Sequence, residues 1–300
     1  MTQRPGRLTI ATRQSPLALW QSRHVQTLLT RRYPGLEVDL LPLTTRGDRI
    51  LDRPLAAIGG KGLFLKELEQ ALLAGRADLA VHSMKDVPVE MDPRLTLAAV
   101  LERADPADVL LCPHHPALEA LPAGARVGTS SARRRVQIQA ARPDLDILDL
   151  RGNVDTRLKR LDQGDFDAIV LAAAGLKRLG FGERITQRLA PPAWLPAPAQ
   201  GAIAIQCRAD DRATGERLAV FDHRPTRGAV ELERRLAAAL GADCHTAFGA
   251  FADLNTPEPG LYGLIADDRG RIRRADLPLE EASIGGGQHP IAALVAQLRD

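Results

Sequence analysis

Aromatic residues make up only 3% of the 300-residue chain, and lysine and cysteine are scarcer still. So few aromatics supply neither the stacking platforms of a single-strand nucleic-acid binder nor the aromatic belt of a membrane protein. No run is long and apolar enough to span a bilayer, and the opening MTQRPGRLTIATRQ lacks the apolar centre of a signal peptide, so a cytoplasmic protein is expected. The cysteines are Cys112, Cys207 and Cys244, an odd number that reads as free thiols rather than a disulfide framework. Cys112 lies near His114 and His115, but no second cluster completes a four-ligand set at a familiar spacing, and no metal site is expected.

What the chain does have is arginine. The formal charge is +3, weakly basic, which permits nucleic-acid binding without implying it. Lysine occurs only at Lys61, Lys66, Lys85, Lys159 and Lys177, so nearly all the positive charge sits on the side chain that grips carboxylates bidentately. A chain of this length exceeds the usual single core, and two or three domains with clefts are expected.

The organising stretch is Val81-His82-Ser83-Met84-Lys85-Asp86-Val87-Pro88. A short apolar run reads as a buried strand, followed by a serine, a cation and a carboxylate, and Pro88 breaks the segment. In open α/β sheets ligands sit beyond the carboxyl ends of strands, where Lys85 and Asp86 can hold an anionic substrate and stabilise a developing cation. A surface ion pair closing a loop is the plainer reading of the pair taken alone.

The chain begins with a strand at 7–11 and a tight loop in which Ser15 caps a helix over 17–31 and Pro16 takes its first position. Free N–H groups at that helix start, with Arg13 beside them, make an anion site. A strand at 36–43 leads into an aperiodic loop running to 59–62, then a helix over 63–73 and a strand at 95–101. A hinge is expected at 102–106. Beyond it strand and helix alternate: strands at 108–111, 126–128, 146–150 and 167–173, helices at 132–141 and 154–161.

In Gly128-Thr129-Ser130-Ser131-Ala132-Arg133-Arg134-Arg135, Ser130 or Ser131 reads as an N-cap, which puts the arginines in the first helical turn. There the helix dipole disfavours each cation by ~0.3–1 kcal/mol. Local folding does not account for that placement, whereas a bound polyanion would. Arg151-Gly152-Asn153 repeats the arrangement, with Arg157 one turn inside the next helix. Three such loops point to a site for a polycarboxylate or phosphate.

A stiff proline-rich connector at 191–201 precedes a strand at 201–208. The remainder reads as an α+β module with helices at 229–240 and 290–298 and a hairpin at 261–275. Cys244 lies just past the first of these helices, beside Asp243. The negative helix end does not make it a ready thiolate, and His245 is a potential local base.

Several motifs together resemble the porphobilinogen deaminase (hydroxymethylbilane synthase) family of tetrapyrrole biosynthesis: ATRQSPLALWQ at 11–21, TRGD at 45–48, GGKGLFLKELE at 59–69, RADLAVHSMKDVPVE at 76–90, GTSSARRR at 128–135, LRGNVDTRL at 150–158, AGLKRLG at 174–180 and PAQGAIAIQCR at 198–208. The match is dense over roughly the first 215 residues and loose beyond. The resemblance implies two periplasmic-binding-protein-like α/β domains with a hinge between them, plus a small C-terminal α+β domain: 1–101 with a returning segment 202–219, 107–195, and 224–300. It implies stepwise deamination and condensation of four porphobilinogen molecules, with Asp86 as the catalytic carboxylate. It implies a dipyrromethane cofactor on Cys244 through a thioether, held by Ser83, Lys85, Thr129, Ser131, Arg133, Arg134, Arg151 and Arg157. Arg13, Ser15, Lys61, Phe64, Arg178 and Gln200 fall on substrate-binding positions. A monomer without nucleic-acid or membrane partners is implied as well.

The anchor region departs from the family pattern: Asp243 precedes Cys244 where glycine is usual, Ala247 stands where a proline would be, and Ala199 replaces a glycine before Gln200-Gly201. Two alternatives therefore stay open. One is a non-catalytic polycarboxylate binder on the same scaffold, impaired in cofactor loading; the other is a nucleic-acid binder using the arginine loops, which the lack of interleaved aromatics opposes.

Overall fold

A computed structural model describes residues 6–45, 65–242, 246–267, 269–279 and 289–299. In chain order the elements are β1 (Arg7–Arg13), α1 (Pro16–Arg32), β2 (Glu37–Leu43), α2 (Lys66–Leu73), β3 (Leu79–Ser83), β4 (Leu95–Val100), β5 (Asp108–Leu111), β6 (Arg126–Gly128), α3 (Ala132–Ala141), β7 (Asp146–Leu148), α4 (Val154–Asp162), β8 (Ala168–Ala172), α5 (Ala173–Arg178), β9 (Gln187–Leu189), β10 (Ile203–Arg208), α6 (Arg212–Ala219), α7 (Arg224–Ala239), β11 (Phe248–Asp253), β12 (Gly260–Ala266), β13 (Ile272–Pro278) and α8 (His289–Arg299). The architecture is mixed α/β, as expected from the alternating strands and helices. Helix α5, strand β9, helix α6 and strand β11 are additions to the elements anticipated from periodicity, and β7 stops two residues short of the expected 150.

The chain divides into two compact units, Met1–Arg103 with Ala202–Arg224, and Ala104–Gly201 with Pro225–Asp300. In the first unit the sheet order is β2-β1-β3-β10-β4, with β1 parallel to β2 and β3 and with β10 antiparallel to β3 and β4. Its core lies between this sheet and α1, where Val25 and Leu29 meet Leu8, Ile10, Leu79 and Val81; Leu68 and Leu72 of α2 cover Ala11 and Ala80 on the other face.

The second unit holds a sheet of the same pattern, β7-β6-β8-β5-β9, in which β6 is parallel to β7 and β8 and β5 runs antiparallel to β8 and β9. In each sheet the antiparallel strand is the one the chain enters directly after passing from one unit to the other, β5 after Arg103–Ala104 and β10 after Gly201–Ala202. At the first passage Asp105 accepts hydrogen bonds from Ala107 N–H, Lys177 and Arg188. The same unit also contains the meander β11-β12-β13, whose core of Phe248, Ala250, Leu261, Leu264 and Leu298 is covered by α7 and α8.

The connector before β10 is stitched to this meander. Ala250 N–H donates to Pro196 O at 3.1 Å, and a side chain at Gly249 would come within 2.9 Å of Leu195 Cβ. Buried Glu233 on α7 accepts from Ala199 N–H at 2.6 Å and from Ala252 N–H at 2.9 Å. Ala199 itself sits at φ +61°, a left-handed conformation that suits glycine and strains alanine. Ala199→Gly therefore stabilises the fold by about 0.5–1 kcal/mol, a gain read as a higher midpoint of denaturant unfolding.

Candidate functional site

Among the described residues, the side chains singled out from the sequence lie at the ends of, or on the loops after, β1, β3, β6 and β7 and in the helices that follow, with Arg178 at the end of α5 and Gln200 on the connector before β10. In the first unit β1 ends at Arg13, and Ser15 caps α1 by accepting from Ala18 N–H at 3.3 Å, with Pro16 at the first helical position. β3 ends at Ser83, and a single 3-10 turn, Met84–Asp86, follows it, closed by Val87 N–H on Met84 O at 3.1 Å. Met84 is buried and anchors the turn, while Lys85 and Asp86 are exposed on it. Ser83 is held from below by Gln21 of α1, whose amide donates to its hydroxyl at 2.9 Å. Pro88 then prevents the turn from continuing as a helix.

The sequence reading gave no role to His82, one residue before the end of β3. His82 is buried on β3, with Nε2 3.0 Å from Gln206 Oε1 of β10. Burial pushes its imidazole down to about 4; the hydrogen bond to Gln206 opposes that shift and the charge of Arg13 adds to it. Cys207, next along β10, is buried, and desolvation pushes its thiol up to about 11, which makes it packing rather than a nucleophile.

In the second unit Ser131 is the cap of α3, accepting from Arg134 N–H at 3.5 Å, and its own N–H donates to Thr129 Oγ1 at 3.2 Å. The two arginines that follow turn inward. Arg133 donates to Asp108 Oδ2 at 2.6 Å and to Leu195 O at 2.7 Å; Arg134 donates to Asp108 Oδ1 at 2.7 Å and to Val170 O at 2.8 Å. Trp194 Nε1 and Gln200 Nε2 complete the shell of the same carboxylate at 3.0 and 2.9 Å. This corrects the expectation that folding leaves the placement of these arginines unexplained: a wholly buried aspartate on β5 draws both of them in. Burial alone would raise the Asp108 carboxyl's pKa, but the charges and hydrogen bonds of Arg133 and Arg134 outweigh it and hold the group well below the usual carboxylate range.

Asn153 caps α4 through Thr156 N–H at 2.8 Å, and Arg157 Nε donates to Gly152 O at 2.8 Å, which ties it to the loop that begins at Arg151. Arg178, at the end of α5, donates to Gly201 O at 2.7 Å, and its burial lowers the guanidinium to about 10, leaving it cationic at neutral pH. Ala247 packs with Val136, Leu195 and Leu264, and its carbonyl accepts from Ala266 N–H at 3.0 Å, so the chain is held here without the proline of the family pattern. Lys61, Phe64, Asp243, Cys244 and His245 lie outside the described residues. So does most of the loop expected to run to 59–62. Cys112 is buried, and among the described residues no group of His, Cys, Asp and Glu side chains is arranged to hold a metal ion.

Replacing Asp108 by Ala leaves two buried guanidiniums without their anion and destabilises the protein by about 3–5 kcal/mol, measured by denaturant unfolding. Because the folded carboxyl is depressed below its unfolded value, its contribution is complete above the ordinary aspartate range near pH 4 and disappears only as the pH falls through the lower folded value. The gap in stability between the native protein and Asp108→Ala is therefore level from pH 8 to about 5 and narrows only in stronger acid.

The family described as "Porphobilinogen deaminase, dipyromethane cofactor binding domain" matches residues 8–216. The chain is 58% identical over 270 residues to porphobilinogen deaminase of Xanthomonas campestris pv. campestris strain B100, covering 90% of this chain and 89% of that protein. It is 57% identical to the protein of that name from Stenotrophomonas maltophilia strain K279a, over 89% of this chain and 88% of the relative. Among solved structures, the methionine-binding protein MetQ aligns over 71% of this chain and 89% of its own, with 12% identity and a TM-score of 0.47. With the family's model spanning most of the chain and relatives this close over nine-tenths of it, the chain belongs to the porphobilinogen deaminase family.

Proposed function

We propose that this chain condenses four porphobilinogen molecules head to tail, with loss of ammonia at each step, and releases hydroxymethylbilane, with Asp86 as the catalytic carboxylate. The observation that carries the reading is the turn after β3, where a buried methionine and a closing hydrogen bond hold Lys85 and Asp86 outward on a fixed frame within the segment that matches the family.

The residues present fit the carboxylate-bearing dipyrromethane group. Arg134 Nε is buried with no hydrogen-bond partner, and the start of α3 directs further N–H groups towards the same loop. We read Thr129, Ser131, Arg133, Arg134, Arg151 and Arg157, with Ser83 and Lys85, as the residues that would hold it, and Cys244 as its covalent anchor. When bound, the dipyrromethane supplies the free pyrrole α-carbon at which the chain is extended.

Arg13, Ser15, Lys61, Phe64, Arg178 and Gln200 are read as gripping the acetate and propionate groups of porphobilinogen and so holding its aminomethyl carbon in line for attack. Loss of ammonia leaves an azafulvenium cation on the incoming pyrrole. Asp86, fixed by the turn rather than carried on a free loop, stabilises that cation close to the pyrrole nitrogen without reorganising. We read the chain as cytoplasmic and monomeric; among the described residues no helix is long and apolar enough to cross a membrane.

Asp86→Asn keeps the shape of the side chain and removes its charge. It lowers kcat by about 100-fold or more with an unchanged unfolding midpoint, measured as hydroxymethylbilane formed per cofactor-loaded protein. Turnover equal to that of the native protein would contradict the role given to Asp86.

A further inference from the structure

On the face of the first unit's sheet that α2 covers, a line of polar side chains runs beside the apolar packing. Leu68, Ala71 and Leu72 pack on Ala11 and Ala80, and beside them Glu69, Gln206 and His82 meet end to end. Gln206 Nε2 donates to Glu69 Oε1 at 3.1 Å. With the amide nitrogen turned to Glu69, Oε1 faces His82 Nε2 at 3.0 Å. An oxygen at that position requires a proton on Nε2. Burial keeps the ring neutral, so Nδ1 carries none.

His82 occupies a pivotal place. The pairing of Ile10 with Leu79 and of Ala11 with Ala80, continued two residues, sets Arg13 opposite His82. The next residue is Ser83, and the turn with Lys85 and Asp86 follows directly. Arg13 of β1 acts on the ring directly, and among the described residues the elements packed on this face also carry Lys66, Glu67 and Glu69 on α2, Arg208 on β10, and Lys85 and Asp86 on the turn after β3. β10 presents the neutral Gln206, and α1 lies across the opposite face, where Gln21 meets Ser83.

We propose that half-buried Glu69 and buried Gln206 form a relay that fixes His82 as the Nε2–H tautomer, and that His82, held so, is a positioning residue for the strand end carrying Ser83, Lys85 and Asp86. The inference rests on the role given to Asp86 above and deepens it. A neutral ring with one satisfied N–H sits beside Arg13 without repelling it. An imidazolium there would add a second cation next to Arg13 and a donor at Nδ1 that needs its own acceptor, and would displace the end of β3.

The test is nitrogen-15 NMR of the histidine side chains alongside steady-state kinetics on the cofactor-loaded enzyme, for the native protein, Gln206→Glu, Gln206→Met and Asp86→Asn. In the native protein His82 shows the Nε2–H tautomer and titrates near 4. Gln206→Glu puts a carboxylate against Nε2 and lifts that titration above the ordinary 6.5. kcat then falls about tenfold as the pH is lowered through the same midpoint, with KM for porphobilinogen little changed. Gln206→Met, which keeps the volume and breaks the relay, loses the tautomer preference and about tenfold in kcat at every pH. An Nδ1–H tautomer in the native protein would overturn the proposal. So would a kcat profile in Gln206→Glu that ignores the moved titration. Full activity in Asp86→Asn would instead sink the role of Asp86 while leaving the tautomer result standing, so the two failures are distinguishable.

Discussion

One carboxylate with no access to water anchors the arginine-rich loops of the second unit. Asp108 receives four donors, from Arg133, Arg134, Trp194 and Gln200, so both of its oxygens are fully used. Its single negative charge cannot neutralise two guanidiniums. The cluster retains an excess positive charge, and Arg134 retains an N–H without a partner. The same contacts account for why arginines tolerate the first turn of a helix, where the dipole opposes them, and they leave positive charge beside the loop proposed to take an anion. Gln200 carries the constraint further, since it ties the connector before β10 to the strand that bears Asp108.

Each unit repeats one solution. Two parallel strand–loop–helix crossovers leave their loops at the same edge of a sheet, and an antiparallel strand entering from the other unit closes it. Ser15, Ser131 and Asn153 cap the helices that start from these loops, which leaves N–H groups and arginines together at the carboxyl ends of the strands. In the first unit Asp86 is exposed on the turn after β3, and that short 3-10 turn gives it a fixed direction.

Much of this was legible in the sequence because the signals were local. Ser15-Pro16 marks the start of α1 and Asn153 that of α4, and the run before Ser83 reads as a buried strand. The missed parts depend on distance along the chain or lack periodicity. Asp108 opens an apolar strand, and its partners lie 25 to 92 residues away, so nothing in its neighbourhood distinguishes it from a surface aspartate. Helix α5 is six residues long and contains Gly175, too short to show a helical period. Gln206 and His82 become a pair only when β10 returns to lie beside β3, a pairing that spans 124 residues. The glycine-like conformation of Ala199 is likewise invisible until Glu233 is seen to grip its N–H.

The central claim is that this constellation of arginines serves a covalently anchored, carboxylate-rich group and that Asp86 works upon it. The intact mass of the purified, denatured protein tests this most directly, with Cys244→Ser measured in parallel. An adduct of two pyrrole units on the native chain, absent from the variant, is the result expected. A native chain that shows its bare mass even after incubation with porphobilinogen would contradict the account and return the protein to the class of polycarboxylate binders that do not turn over.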